Sequence, residues 1–199
     1  MGKLSKKQET EIIKKVQSNS DANSFGLLVD EYQDMVYNFC FRFFGNSDDA
    51  LDCSQEIFIR AFQHIENFRF QSKFSTWLYT LMNSTCINTV KTKWYRNKSM
   101  NTSIENITNT SKEFLSQRSY SENPAEILLN KELSEKMNFV INKLNSVSRS
   151  VIILRDIEGK SYEEIAEITH MKIGTVRSKL FRARMKVGNE LKKYVNHEV

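Results

Sequence analysis

The chain has 199 residues with one Pro and six Gly, far below the roughly one in eight of average usage, so long helices are expected rather than many tight turns. Lys and Arg number 29 against 24 Asp and Glu, a net charge of +5, which makes nucleic acid the first partner to consider. No run approaches the ~20 apolar residues of a bilayer span, so no membrane insertion is expected.

The opening, Met1-Gly2-Lys3-Leu4-Ser5-Lys6-Lys7, leads into a polar helix instead of a signal h-region. Its Ser falls one place early for a myristoylation match. From about Thr10 to Arg96 the chain is aromatic-rich with a helical period. Phe25, Leu28, Tyr32, Met35, Phe39 and Phe43 recur at three- and four-residue steps, one face of a long helix. Gly45-Asn46-Ser47 ends it, and Ser47 or Asp48 is expected to cap a second helix, Asp49 to about Ile65. A loop, Glu66 to Ser72, precedes a third helix from about Phe74 to Lys93.

Asp49, Asp52 and Glu56, with Gln55 beside them, fall within ~60° on one face of the second helix. Carboxylates near a helix N-terminus are ordinary dipole partners, yet one face of them also suits docking on a basic protein surface. No His or Lys is placed to form a general acid/base pair with them, so no enzyme activity is expected. A metal-dependent nuclease would need a second carboxylate cluster for two-metal geometry.

Phe68-Arg69-Phe70-Gln71-Ser72-Lys73 and Lys91-Thr92-Lys93-Trp94-Tyr95-Arg96 interleave cations with rings. Unpaired nucleic acid wants that combination, since cations track phosphate while rings stack bases at ~1–3 kcal/mol each. Phe68, Arg69, Phe70, Lys73, Lys91, Lys93 and Arg96 are therefore candidate DNA contacts. Phe74 and Trp77, about one turn apart, read as core.

From Asn97 to about residue 123 Ser, Thr and Asn dominate and neither period survives, as in a flexible linker. Pro124 suits a helix start. In the second unit, Ser161 with Glu164 forms a capping box. Ile165 and Ile168 point inward, Thr169 to Lys172 turns, and a second helix opens near Gly174-Thr175 with Val176 and Leu180 on its buried face. Between Lys172 and Lys193 eight basic residues face one acid, Glu190. Thr175, Arg177, Ser178, Lys179 and Arg182 point outward, as a helix in a major groove requires. A basic amphipathic helix can equally be a solvated face, but the capped helix, short turn and Gly-Thr restart at this spacing favour a helix-turn-helix.

Cys40, Cys53 and Cys86, with His64, His170 and His197, give neither a disulfide framework nor a CxxC zinc pattern. Plain thiols in a reducing cytoplasm are the expectation, with no cofactor and no metal.

The order of elements resembles a bacterial RNA polymerase sigma factor of the extracytoplasmic-function group, which keeps only the regions called two and four. DDALDCSQEIFIRAFQHIENFRFQSKFSTWLYTL resembles region two, and SRSVIILRDIEGKSYEEIAEITHMKIGTVRSKLFRAR resembles region four. The resemblance implies an all-α fold of two helical domains, 10–96 and 124–195, joined by a flexible linker, 97–123.

It implies that Asp49, Asp52, Gln55 and Glu56 bind the clamp helices of core RNA polymerase. The loop Glu66 to Lys73 would hold a base flipped from the melted non-template strand of the minus-ten element, and Lys91 to Arg96 would grip adjacent promoter DNA. Thr175, Arg177, Ser178, Lys179 and Arg182 would read the duplex minus-thirty-five element, and apolar residues from Leu144 to Leu154 would support contact with the polymerase flap. An anti-sigma protein would cover these surfaces.

Departures are local. The family's usual Asn aligns with Ser84, and Asn83 stands one place early, about 100° around the helix. Asn88 and Lys91 replace the usual Asp and Arg, Leu144-Asn145 replaces Leu-Pro, and His170 and Lys172 occupy the turn. His tolerates the left-handed region better than most residues, so the turn is expected to survive. The competing reading is a helix-turn-helix regulator acting on duplex DNA without polymerase.

Overall fold

The computed structural model describes residues 4–99 and 136–195, all helix and connecting turns with no strand among them. α1 (Lys6–Asn19) opens on a Ser5/Gln8 capping box, four residues before the expected start at Thr10. It buries Ile12, Ile13 and Val16, and its Gln17 amide donates to the Ile65 and Phe68 carbonyls at 2.8 Å each.

α2 (Ala22–Phe44) buries Phe25, Leu28, Val36, Phe39, Cys40 and Phe43 and ends on Gly45 at φ 77°. A side chain there would be strained by the backbone and would also strike Asn142, so this position needs glycine twice over. Asn46, rather than Ser47 or Asp48, caps α3 (Ser47–His64), its Oδ1 accepting from the Asp49 N–H at 2.8 Å. The cap falls one residue before Ser47, on a residue type that caps as well as Ser or Asp, and Ser47 begins the helix.

A 3-10 turn, Ile65–Asn67, and a loop lead to α4 (Phe74–Ser99). The helix runs past Lys93, into the start of the predicted linker. Pro124 and the rest of that linker lie outside the described residues. A helical segment, 136–142 (α5), precedes α6 (Ser146–Ile152), whose Asn145 cap accepts from the Ser148 N–H. A single π turn, Ile153–Ile157, follows.

α7 (Tyr162–Thr169) opens on the Ser161/Glu164 capping box and ends with His170 at φ 53°. α8 (Ile173–Val195) begins one residue before the predicted Gly174. Leu144, Val151, Ile152, Ile153 and Leu154, expected to support an external contact, are instead buried in the core. Their continuous apolar run leaves no polar face to turn outward, so the hydrophobic effect places them inside.

The two helical units lie against each other, with α6 and α7 resting on α4 and the π turn on α2. Ser150 and Asn83, both buried, share a hydrogen bond. Glu158 receives the Arg42 guanidinium and the Tyr79 hydroxyl at 2.6 Å each. The Lys160 ammonium sits 4.2 Å over the Tyr79 ring. Arg149 donates to the Phe43 carbonyl of α2 at 2.7 Å and to the Leu144 and Asn142 carbonyls of its own unit.

Candidate nucleic-acid and protein interface

Asn46 fixes the start of α3, and that start sets the azimuth of its carboxylates. Asp52 and Gln55 are exposed, while Asp49 and Glu56 are half-exposed. Glu56 pairs with Arg60 one turn on, at 2.5 Å. Asp49 pairs with Lys93 of α4 and accepts from the Asn46 amide at 3.1 Å. Burial opposes ionisation of Asp49, but the Lys93 ammonium and the Asn46 amide outweigh it and hold the carboxyl below its usual range. Asp52 makes no ion pair among the described residues.

This ion pair joins a predicted polymerase contact, Asp49, to a predicted DNA contact, Lys93. The two predicted surfaces therefore touch at this pair. A depressed carboxyl pKa favours the folded state above the unfolded value, and that advantage is lost as pH falls through the folded one. We expect the Asp49–Lys93 contribution to be constant above about pH 4 and to vanish only in stronger acid. Lys93→Ala should raise the Asp49 carboxyl pKa, measurable by NMR titration; an unmoved Asp49 would show that the contact is not formed in solution.

Between α3 and α4 the structure does not treat the aromatic loop uniformly. Phe68, expected to meet DNA, is buried, its ring 5.6 Å from Phe74 and 5.5 Å from Trp77. Phe68 is thereby corrected to a core residue: Gln17 draws its carbonyl inward, and the aromatic cluster removes its ring from water. Phe70 carries the exposed ring instead, 40% accessible and 4.9 Å from Phe68. Its φ of 57° is a strained conformation for a bulky side chain, roughly 1–2 kcal/mol, and it places the ring on the loop's outer side. Arg69 and Lys73 flank it, exposed.

Lys91, Lys93 and Trp94 are exposed on the far end of α4, whereas the side chain of Arg96 lies outside the described residues. Ser84 faces solvent, and Asn83 is turned toward α6. On α8, Thr175, Arg177, Ser178 and Arg182 are exposed and Lys179 is half-buried, while Val176, Leu180 and Ala183 anchor the opposite face. The Arg177 guanidinium rests 5.6 Å over the Tyr162 ring of α7, which orients it. Sequence reasoning missed the Asp49–Lys93 link and the Glu158–Lys160 turn against Tyr79. It also missed the meeting of Cys40, Cys53 and Cys86, whose sulfur atoms lie within 4.8 Å of one another. No short-range spacing signals any of these, because each joins separate helices.

Residues 28–96 match the family model described as Sigma-70 region 2, and residues 134–187 match Sigma-70, region 4. The chain is 32% identical to the RNA polymerase sigma-H factor of Pseudomonas aeruginosa, over 94% of this chain and 96% of that one. It is 33% identical to the ECF RNA polymerase sigma factor SigW of Bacillus subtilis (86% and 91% covered) and 35% identical to the sigma-E factor of Escherichia coli K12 (90% and 92%). In fold it is similar to RpoE of Bartonella quintana, solved with the anti-sigma factor NepR, at TM-score 0.65 and 22% identity, covering 86% and 98%. CnrH, solved with the cytosolic domain of CnrY, follows at TM-score 0.60 and 20% identity, covering 94% and 98%.

An acid-faced, aromatic-looped unit followed by a helix-turn-helix unit thus matches the two sigma-70 region models in chain order, and the chain belongs to the extracytoplasmic-function sigma factors of the sigma-70 family, the initiation subunits that bind core RNA polymerase and direct it to promoters.

Proposed function

We propose that the labour of initiation is divided among the surfaces as follows. Asp49, Asp52, Gln55 and Glu56 engage a basic face of core polymerase. Phe70, Arg69 and Lys73 cradle an unstacked base of the melted non-template strand, with Lys91, Lys93 and Arg96, roughly 25 Å away along α4, on phosphates further along the promoter. Thr175, Arg177, Ser178, Lys179 and Arg182 read the minus-thirty-five duplex. The observation that supports this reading is the meeting of the acidic face of α3 with the basic end of α4, where Asp49 pairs with Lys93. The polymerase-facing α3 packs directly on the DNA-facing α4, so docking through α3 aims the aromatic loop that joins the two helices.

The protein itself performs no chemistry in this reading; bond formation belongs to the polymerase. It acts in the cytoplasm, where polymerase and promoters are. No described helix is long and apolar enough to cross a membrane. One of the similar structures holds the anti-sigma factor NepR and another the cytosolic domain of CnrY, and we assign this chain an anti-sigma partner, one that covers the acidic face.

In vitro transcription with core polymerase, with and without this protein, on randomised promoters tests the assignment. Transcripts that depend on the protein, from templates sharing two spaced boxes, are expected. A chain that fails to associate with polymerase yet grips closed duplex operators unaided would instead be a helix-turn-helix regulator. Arg177→Ala should weaken one base position of the minus-thirty-five element by ~1–3 kcal/mol, read as relaxed preference at that position in the selected promoters. A uniform loss at all positions would make Arg177 a phosphate contact.

A further inference from the structure

The only three cysteines of the chain come from α2, α3 and α4 and converge in the core of the first unit. The Cys86 sulfur lies 3.9 Å from that of Cys40 and 3.7 Å from that of Cys53, and all three sulfur atoms lie within 4.8 Å of one another. We propose that Cys40, Cys53 and Cys86 form a three-thiolate site for one thiophilic, three-coordinate ion, of the trivalent metalloid class.

Geometry argues for the coordination number. A point equidistant from three sulfurs at these separations lies roughly 2.1–2.5 Å from each, the length of a metal–thiolate bond. No His, Asp or Glu joins the cluster among the described residues, so the fourth donor of a tetrahedral zinc site is not supplied. Soft thiolate donors select soft ions.

Burial argues for the charge. Cys40 and Cys86 are fully buried and Cys53 is 3% exposed, so a complex with net charge would bear a large desolvation cost. A trivalent ion on three thiolates is neutral. With arsenite the exchange balances without an oxidant: arsenous acid and three thiols give the tris-thiolate and three waters, forming three As–S bonds and breaking three As–O and three S–H bonds.

There is also a way in. Cys53 forms part of a cleft of about 230 Å³ lined by Asp49, Asp52, Glu56, Thr89 and Lys93.

The test is native mass spectrometry of the full chain after incubation with arsenite and desalting. One arsenic per chain, with the loss of three protons, is expected, together with a higher unfolding temperature, because a ligand of the native state stabilises it. Cys53→Ser should abolish retention. Its helical circular dichroism shows whether the variant has folded, and the wild-type proton count decides the coordination independently of any variant. No retained arsenic, fewer than three protons lost, or undiminished retention by a folded Cys53→Ser chain would overturn the site and leave three sulfurs packed as small apolar groups.

Discussion

Reversing two carboxylates of the acidic face, Asp52→Arg with Glu56→Arg, is expected to lower the affinity for core RNA polymerase roughly 100-fold or more. Truncating one partner of a desolvated charge pair costs about 2–5 kcal/mol, and placing like charges together adds repulsion. Asp52 has no ion-pair partner among the described residues to lose, and Glu56 gives up only its exposed pair with Arg60, the sort of surface contact worth under about 1 kcal/mol. The apolar side of α3, Ile57 and Ala61, is fully buried and untouched, so helix content and thermal stability should hold. Competition binding against labelled wild-type protein measures the loss, and binding of isolated minus-thirty-five duplex through α8 gives the control. An affinity within threefold of wild type would remove the acidic face from the polymerase contact.

That face was legible from sequence because it is periodic: positions three and four apart share a side of one helix, and nothing beyond the helix decides it. The same holds for the α2 stripe, the Ser161/Glu164 box and the burial of Val176 and Leu180, which all follow from local pattern. Failures cluster where a second element intervenes. Phe68 looks like Phe70 in sequence, and only Gln17 of α1 and the Phe74–Trp77 pair separate one as core from the other as surface. Asn83 reads in sequence as turned about 100° from the contact position, but only α6 shows that Ser150 is what it meets. The apolar run ending at Leu154 gives no period by which to tell an outward face from a core. The cysteines stand 13 and 33 residues apart, spacings that only the packing of three helices can close.

Arg149→Ala is expected to cost about 3 kcal/mol and to release the second unit from the first. Arg149 is half-buried, and burial pulls its pKa down from the usual value, yet guanidinium stays charged in proteins. Its fork bonds the Leu144 and Asn142 carbonyls on one side and the Phe43 carbonyl on the other, with the Phe43 ring 5.2 Å away. The Phe43 carbonyl belongs to the last turn of α2, where no intrahelical N–H is available, so the guanidinium serves as a cap supplied by the other unit. Alanine leaves these carbonyls without that donor, at roughly 1–3 kcal/mol for each one still buried. Lysine offers one ammonium with no planar fork and should restore little. Small-angle scattering should show a larger radius for Arg149→Ala and for Arg149→Lys, and calorimetry should split one unfolding transition into two. The neighbouring contacts of Glu158 with Arg42 and Tyr79 are exposed at Arg42, and the buried Ser150–Asn83 hydrogen bond nets only about 1 kcal/mol, so neither replaces the Arg149 fork. A variant that unfolds in one transition at the wild-type temperature, with an unchanged radius, would show that Arg149 does not join the units.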